Sequence, residues 1–193
     1  LVFSFSMKIN LLQMDLLWAD PKANCAEAAR KMREMDAADV YILPEMFSTG
    51  FATVPEGVAE EWQNDTCPSH QWMLEMAREL DAAVVGSIAV REQDGRYFNR
   101  LCFVRPDGET TLYDKHHLFT FGGEHLRYTA GQERVVAEFR GFRFLLQICY
   151  DLRFPVVARN KADEAYDASV YVVSWPIPRV VAWFALLEAR AVF

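Results

Sequence analysis

The sequence is poor in the residues that hold metals or cross-link a chain, with four cysteines and four histidines in 193 residues. No C-x-x-C pair occurs, and no cysteine and histidine cluster has the spacing of a zinc site. So few cysteines in a chain of this length also argue against a disulfide framework. We therefore expect no metal site, reduced thiols and a cytoplasmic location.

Positive charge is also scarce, because 20 Lys and Arg residues are outnumbered by 27 Asp and Glu residues, which gives a net charge of −7. A protein that binds nucleic acid needs a basic surface to neutralise phosphates, so we expect no nucleic-acid partner. No apolar run is long enough to cross a membrane. The first six residues lack the positive charge that opens a signal peptide, so neither a membrane partner nor export is expected.

Hydrophobic residues make up 52% of the chain, which suits one globular domain with a sizeable core. Short apolar runs that predict strands alternate with segments of helical spacing and with turns. This alternation favours an α/β layered sandwich with mixed sheets. Strands are predicted over 9–14, 40–43, 83–90, 97–104, 110–113, 135–139, 142–149 and 167–174, and helices over 20–36, 69–81 and 179–193.

Three of these predictions are specific enough to be checked directly. The run INLLQM (9–14) predicts a buried first strand. Ser69 is the expected N-cap of the second helix, because its hydroxyl can accept a hydrogen bond from the first turn. The last helix is apolar on most faces, so we expect it to pack between layers or against another subunit.

Cys149 ends the apolar run FLLQI (144–148), which predicts a buried strand followed by a polar turn. A thiol at the end of a core strand is held by a rigid element and is still reachable by substrate, as a nucleophile must be. A lone cysteine in such a place is otherwise a core residue. Cys25, Cys67 and Cys102 are expected to be structural thiols of that kind.

Two further reactive residues also follow predicted strands. Glu45 comes after the strand that ends at Leu43, and Lys115 comes after the strand that ends near Tyr113. Neighbouring strand ends converge on one edge of a sheet, so we expect Glu45, Lys115 and Cys149 to meet in a crevice there. A lone glutamate or lysine is usually a solvated surface residue. A carboxylate, an ammonium and a thiol at three strand ends favour a reactive site instead.

These three groups suit acyl transfer from an amide. A thiol with a pKa of roughly 8.5 needs a base to take its proton or a cation to stabilise its thiolate. Glu45 would be the general base, and then the acid toward the leaving amine. Lys115 would stabilise the thiolate and a tetrahedral oxyanion, with the backbone N–H of Tyr150 as a second donor. Hydrolysis of a Cys149 thioester would complete the reaction.

The chain resembles the nitrilase superfamily of carbon–nitrogen hydrolases, which use a Glu-Lys-Cys triad. The motifs that carry this resemblance are LPEMF (43–47), YDKHHLF (113–119) and CYDLRFP (149–155), in the family's order. Three separate motifs make it specific, and it extends over nearly the whole chain. The pieces PEMFSTGF (44–51), YTAG (128–131) and WP (175–176) with Arg179 are most similar to the bacterial omega-amidase branch.

The resemblance implies a four-layer αββα sandwich with two mixed β-sheets and a catalytic triad of Glu45, Lys115 and Cys149. It implies that Glu124, in the loop after the lysine, orients the lysine or positions the substrate. It also implies a small-molecule amide substrate, no metal or organic cofactor, and a homodimer or higher homo-oligomer. For the omega-amidase branch, the expected substrates are omega-amides of dicarboxylic keto acids, such as 2-oxoglutaramate or 2-oxosuccinamate, with release of ammonia.

Members of this superfamily normally continue beyond a helix such as 179–193 into further strands. The resemblance therefore predicts a single carbon–nitrogen hydrolase domain over residues 7–193 that is truncated at its C-terminus. Two alternatives to an omega-amidase stay open. One is a catalytically impaired homologue that acts as a binding or assembly module. The other is a carbamoyl-amide or nitrile hydrolase with the same triad, since pocket shape decides among such substrates.

Several residues beside the motifs are candidates for substrate contact. Phe47, Tyr150 and Trp175 are predicted to bind substrate, with core packing as the competing interpretation for Phe47 and Trp175. Arg153 either clamps a substrate carboxylate or pairs with an acidic neighbour, and the pairing is the preferred interpretation.

His116 and His117 lie beside the lysine and suggest a Cys–His dyad. The resemblance makes them loop-structuring residues instead, because Glu45 already supplies the base.

Overall fold

The computed structural model describes residues 6–63 and 67–192. Most of the opening segment 1–6, which lacks the charge of a signal peptide, therefore lies outside the described residues, as does Phe193 at the end of the predicted last helix. The described strands are β1 Ile9–Leu11, β2 Val40–Ile42, β3 Glu60–Glu61, β4 Ala83–Arg91, β5 Tyr97–Val104, β6 Thr110–Asp114, β7 Val136–Phe139, β8 Phe142–Ile148 and β9 Ala168–Val172. The α-helices are α1 Pro21–Glu34, α2 Pro68–Leu80, α3 Pro155–Ala158 and α4 Val180–Val192.

The strands form two mixed sheets, as predicted. The first sheet has the order β1-β2-β4-β5-β6, with β3 beside the end of β4. In it β1, β2 and β4 are parallel, whereas β4, β5 and β6 are antiparallel and are joined by short turns. In the second sheet, β7 pairs antiparallel with β8, and β8 pairs parallel with β9.

The two sheets pack face to face through the alternate residues of their strands. Val85 of β4 and Phe103 of β5 are buried against Phe144 of β8 and Val170 of β9. The opposite face of the first sheet packs against α1 and α2. Strand β4 is therefore buried on both faces, which explains its unbroken apolar sequence AVVGSIAV.

Helix α4 supplies a fourth layer. Val170 and Val172 of β9 face the first sheet, so Tyr171 between them points to the other side. Burial raises the pKa of Tyr171, and Arg190 of α4 lies close enough to oppose that shift. The order of layers is thus α–β–β–α, as the resemblance implied.

Three local predictions need correction or refinement. The first strand is not buried, because β1 pairs only with β2 at the sheet edge, and Leu11 is 69% exposed. Ser69 is not the N-cap of α2, since Cys67 occupies that position. The Ser69 N–H and hydroxyl instead donate to the carboxylate of Glu60, which places a negative charge at the helix N-terminus. Helix α4 has no buried residue within the chain, and its Val181 is 79% exposed.

In the part of the chain that the structure describes, no helix has the length and apolar character needed to span a membrane. The same residues contain no group of three or more His, Cys, Asp or Glu side chains arranged to hold a metal ion. Cys25, Cys67 and Cys102 are free and buried, and burial raises the pKa of Cys25 to about 12.

Candidate active site

The loop after β2 carries Glu45 and is fastened to β4. The Met46 N–H donates to Ser87 Oγ at 2.9 Å, and the Phe47 N–H donates to the Ser87 carbonyl at 3.2 Å. Met46 has a φ of 47°, in the left-handed region that non-glycine residues seldom occupy. This tight turn directs the Glu45 carboxylate inward, where its exposure is 0%.

Lys115 follows β6 without an intervening residue, and its backbone is held on both sides. Its N–H donates to the Asn99 carbonyl at 2.9 Å, and its carbonyl accepts from the Gly131 N–H at 2.9 Å. A Cβ atom at Gly131 would lie 2.1 Å from the carbonyl oxygen of Asp114. Only glycine therefore fits where the later loop crosses the lysine.

Cys149 stands at a sharp junction between β8 and the 3-10 helix Cys149–Arg153. Its φ is 44°, again in the left-handed region, which is unfavourable for a residue with a Cβ atom. The Ile148 N–H donates to Asp151 Oδ2 at 2.9 Å, so the turn is closed by the carboxylate two residues after the cysteine. The thiol is presented at the end of a rigid core strand.

The three residues come together, but not along the edge of one sheet. Strands β2 and β6, which precede Glu45 and Lys115, belong to the first sheet, whereas β8, which precedes Cys149, belongs to the second. The expectation of neighbouring strand ends in a single sheet is therefore wrong. The site lies where the ends of two packed sheets meet, and the packing of the sheets brings the thiol to the other two groups.

Lys115 lies between two fully buried carboxylates. Its Nζ is 2.8 Å from Glu45 Oε1 and 2.9 Å from Glu124 Oε2, and all three side chains are inaccessible to solvent. Glu124 is held in turn by the Phe119 N–H, which donates to its Oε2 at 2.6 Å. Buried charges are stabilised only when they are paired and hydrogen-bonded, and this cluster meets both conditions.

The Cys149 thiol lies within the electrostatic influence of the same carboxylate, whose charge helps to raise the pKa of the thiol. Its Sγ lies 4.0 Å from the carbonyl oxygen of Ser174. The Ser174 N–H donates to Glu45 Oε2 at 3.0 Å. The segment after β9 therefore contacts both the thiol and the carboxylate.

Burial and charge shift the pKa values of all three groups. Burial raises the pKa of the Glu45 carboxyl, and the Lys115 ammonium opposes the shift. Burial also raises the pKa of the Cys149 thiol well above its ordinary value; the charge of Glu45 adds to the rise and Lys115 opposes it. Burial lowers the pKa of Lys115, but the charges of Glu45 and Glu124 outweigh it, so the net shift is upward. The resting state thus has a neutral thiol beside a charged lysine.

Sequence reasoning missed Asn99, a fully buried residue of β5. Its side-chain Nδ2 donates to Glu45 Oε1 at 2.9 Å and to Glu124 Oε1 at 3.3 Å. The available signal was an asparagine inside YFNRLCFV, a strand that is otherwise apolar apart from Arg100. Buried polar residues in such strands need partners, so they indicate a polar site.

Asp151 was also missed, although it lies inside the CYDLRFP motif. Its Oδ2 accepts from Ile148 N–H at 2.9 Å and from the Tyr113 hydroxyl at 2.8 Å. Its Oδ1 accepts from the His117 N–H at 2.8 Å and lies 2.9 Å from His117 Nδ1. The carboxylate therefore ties the Cys149 turn to the segment that follows Lys115. His117 is stacked on Phe154 at 3.7 Å, in keeping with a loop-structuring role.

Of the three aromatic residues predicted to bind substrate, Phe47 is the one that the structure places in the core, which favours the core-packing interpretation. Phe47 is 0% exposed and packs on Trp72 of α2 at 5.4 Å. Tyr150 is half-buried, with its ring 5.2 Å from that of Phe119. Trp175 is also half-buried, and its Nε1 donates to the backbone of the following turn.

Two arginines lie on these aromatic rings. The Arg153 guanidinium is 5.2 Å from the Trp175 ring, and the Arg179 guanidinium is 5.2 Å from the Phe119 ring. The predicted acidic partner of Arg153 is not found among residues 6–63 and 67–192, where its guanidinium contacts the rings of Tyr150 and Trp175 instead. Arg179 likewise has no carboxylate partner among these residues, and its guanidinium lies over the Phe119 ring.

The sequence profile of the carbon–nitrogen hydrolase family matches residues 8–193. The chain belongs to this family, as its fold and its buried carboxylate, ammonium and thiol had indicated. The names of its relatives indicate a narrower class of enzyme within the family. It is 44% identical over 186 residues to Omega-amidase YafV of Escherichia coli strain K12, which covers 96% of this chain and 70% of that protein. It is 32% identical over 189 residues to 2-oxoglutaramate amidase of Bacillus subtilis strain 168, which covers 95% of this chain and 71% of that protein.

Solved structures agree with the fold. XC1258 of Xanthomonas campestris, a CN-hydrolase superfamily protein with an arsenic adduct in its active site, superposes with a TM-score of 0.91 at 39% identity, over 97% of this chain and 72% of that one. Saccharomyces cerevisiae Nit3, of the nitrilase superfamily, shares the fold with a TM-score of 0.84 at 24% identity, over 96% of this chain and 71% of that one. The predicted nitrilase-like fold and omega-amidase resemblance are confirmed, and the chain is an amide-cleaving carbon–nitrogen hydrolase.

Proposed function

We propose that Cys149 is the nucleophile of an omega-amidase, with Glu45 as general base and acid and Lys115 as the electrostatic stabiliser. The observation that carries this proposal is the placement of the three groups in one buried cluster. Lys115 Nζ lies 2.8 Å from Glu45 Oε1, and Ser174 connects the carboxylate to the thiol, because its N–H donates to Glu45 Oε2 at 3.0 Å and its carbonyl oxygen lies 4.0 Å from Cys149 Sγ. A carboxylate beside both a thiol and a fixed ammonium can accept the thiol proton at the moment of attack.

The acylation step follows from the protonation states. Because the pKa of Cys149 is raised, the thiol stays protonated at rest, and it loses its proton to Glu45 only as the sulfur approaches the amide carbon. The thiol proton moves to Glu45 while the S–C bond forms, and Lys115 stabilises the resulting oxyanion together with the Tyr150 backbone N–H. Glu45 then returns the proton to the amide nitrogen, the C–N bond breaks and ammonia leaves a Cys149 thioester.

Hydrolysis of the thioester uses Glu45 again, first as the base toward water and then as the acid toward the sulfur. Glu45 takes a proton from water, the water oxygen bonds to the acyl carbon, and the C–S bond breaks to release the carboxylic acid. The proton returns to the sulfur, so no group is consumed. Glu124 has an accessory role in both steps, because its contact with Lys115 at 2.9 Å fixes the ammonium and keeps it charged.

We propose an omega-amide of a dicarboxylic keto acid as the substrate, 2-oxoglutaramate or 2-oxosuccinamate. The names of the relatives support this class. So do the guanidinium groups of Arg153 and Arg179, which have no carboxylate partner among the described residues and can pair with a substrate carboxylate. Tyr150 and Trp175 are proposed to contact the substrate, since both are half-buried and the Arg153 guanidinium lies over both rings. A neutral nitrile or carbamoyl amide would leave the cations unpaired.

The test is a comparison of ammonia release from five compounds at equal concentration. These are 2-oxoglutaramate, 2-oxosuccinamate, a neutral primary amide of the same length, the matching nitrile and an N-carbamoyl amine. We expect the two acidic amides to have the highest kcat/KM. A higher value for the nitrile or the carbamoyl compound would replace the proposed substrate class, and no turnover of any of them would favour the impaired binding module.

We further propose that residues 7–193 act as one carbon–nitrogen hydrolase domain, that the protein works in the cytoplasm, and that it forms a homodimer or higher homo-oligomer. The exposed apolar side chains of α4 support self-association, since Val181 and Phe184 are 79% and 59% exposed. Sedimentation velocity would test the last point directly, and a monomer at all concentrations would overturn it.

A further inference from the structure

Asn99 touches both acidic residues of the site through one side-chain nitrogen. Its Nδ2 carries two protons and lies 2.9 Å from Glu45 Oε1 and 3.3 Å from Glu124 Oε1. Because both neighbours are carboxylates, the nitrogen of the amide, and not its oxygen, must face them. One N–H is therefore available for each carboxylate.

Stability alone does not explain a polar side chain at this position. Asn99 is fully buried, and its Oδ1 has no hydrogen-bond partner in the described residues. An unpaired buried amide oxygen is unfavourable. The neighbouring inward positions of β5, Leu101 and Phe103, are apolar and pack well between the sheets. Asn99 therefore lowers the stability of the folded protein, and its contacts are with the two carboxylates.

The contacts of Glu45 define what Asn99 does there. Among the described residues, Oε1 is shared by Lys115 at 2.8 Å and Asn99 at 2.9 Å, whereas Oε2 accepts the Ser174 N–H at 3.0 Å. Ser174 is also the residue whose carbonyl lies 4.0 Å from the Cys149 sulfur. Two donors on Oε1 fix the rotation of the carboxylate and leave Oε2 beside Ser174, the residue that also contacts the thiol.

We infer that Asn99 is a positioning residue that orients the Glu45 carboxylate and favours its ionised form, which makes it ready to accept the Cys149 proton. This inference rests on the proposed role of Glu45 as general base. The charged and titratable groups whose electrostatics couple to Glu45 are Lys115 from the end of β6, Glu124 and Tyr128 from the following loop, and Cys149 from the end of β8. Asn99 is the uncharged side chain that donates to the same carboxylate.

The direction of the effect follows from hydrogen bonding. A donor to the charged form of a carboxyl lowers its pKa, so loss of the Asn99 N–H raises the pKa of Glu45. We expect Asn99→Leu, which has nearly the same shape, to shift it upward by about one pH unit, or about tenfold in the protonation equilibrium. Asn99→Asp keeps the shape but adds a third carboxylate, so its upward shift is expected to be larger.

The experiment measures the Glu45 titration directly, by NMR of the side-chain carboxyl in protein labelled with 13C-glutamate. The signal is assigned by its loss in Glu45→Gln. The pH dependence of kcat/KM is measured beside it, where the acid limb should move upward in the same order: wild type, Asn99→Leu, Asn99→Asp. The matched control is Leu101→Val, a change in the core two residues along the same face, whose titration midpoint should equal that of the wild type.

The outcomes separate the inference from the function on which it rests. A lower kcat/KM at every pH with an unmoved Glu45 midpoint in both variants would reduce Asn99 to a structural residue and overturn the inference. If instead the wild type and Cys149→Ala release ammonia equally, the proposed function fails, and the carboxyl titration still decides whether Asn99 acts on Glu45. A shift in both variants that Leu101→Val lacks supports the inference.

Discussion

The substitution Asp151→Asn tests whether one carboxylate holds the two halves of the site together. Asp151 accepts hydrogen bonds at 2.8–2.9 Å from Ile148, Tyr113 and His117. Asparagine has one oxygen and one NH2 group, so an NH2 group replaces one of the two carboxylate oxygens. That NH2 group then faces the N–H or O–H groups that donated to the oxygen, and no hydrogen bond can form there. At least two accepted bonds are lost. Each bond to a charged group contributes about 1.5–3 kcal/mol, which gives a loss of about 3–6 kcal/mol.

This loss is large for a domain whose free energy of unfolding is about 5–15 kcal/mol. For a chain of this size, about 2–4 °C of the unfolding midpoint corresponds to each kcal/mol, so Asp151→Asn should lower Tm by about 6–24 °C. It should also lower kcat/KM by about a hundredfold in the protein that remains folded, because the turn of Cys149 is no longer fixed relative to Lys115.

Thermal unfolding followed by circular dichroism, with ammonia release measured well below the new midpoint, checks both effects. Asp163→Asn is the matched control, since Asp163 is exposed and lies in the turn between α3 and β9. A midpoint within about 2 °C of the wild type, well under the shift expected from two lost bonds, would refute this reasoning. Unchanged kcat/KM at a lowered midpoint would limit Asp151 to stability.

Two further changes probe the rim and the frame of the site. Arg179→Gln should lower kcat/KM for 2-oxoglutaramate at least about tenfold more than for a neutral amide of equal length, because only the acidic substrate loses a charge-assisted hydrogen bond. An equal fall for both compounds in the ammonia assay would remove Arg179 from carboxylate recognition. Gly131→Ala should destabilise the protein by several kcal/mol, because its Cβ would lie 2.1 Å from the Asp114 carbonyl oxygen. Each kcal/mol lowers Tm by about 2–4 °C in a chain of this size. Gly57→Ala is the control for backbone strain without a clash, since its Cβ meets nothing within 4 Å but its φ of 83° disfavours alanine by about 1–2 kcal/mol. Its Tm loss should be the smaller one, and equal losses in the two variants would contradict the packing argument.

The sequence was sufficient to single out the three candidate residues because each one lies within a few residues of the end of an apolar strand. Glu45, Lys115 and Cys149 could be proposed as partners from their chemistry and from the family motifs alone. What the sequence did not reveal is that their strands belong to two different sheets. Strand pairing depends on residues far apart in the sequence, so an apolar run predicts a strand but not the strands with which it pairs.

Burial and partners were harder to predict than element type. The run at β1 has the composition of a core strand, yet its position at the sheet edge leaves Leu11 exposed. Ser69 has the chemistry of an N-cap, but a carboxylate from β3 takes its hydroxyl. Asn99 and Asp151 each contact residues more than 20 positions away, so their roles depend on the register between distant segments.

The proposed role of Cys149 as the nucleophile beside Glu45 and Lys115 is tested most directly by acid-quenched intact-mass analysis during turnover of 2-oxoglutaramate. Ammonia is measured in the same samples of the wild type and of Cys149→Ala. The wild type should release ammonia and carry the acyl group on Cys149, while the variant should release none above the uncatalysed background. Ammonia release by Cys149→Ala at the wild-type rate, with no mass adduct on the wild type, would contradict the account.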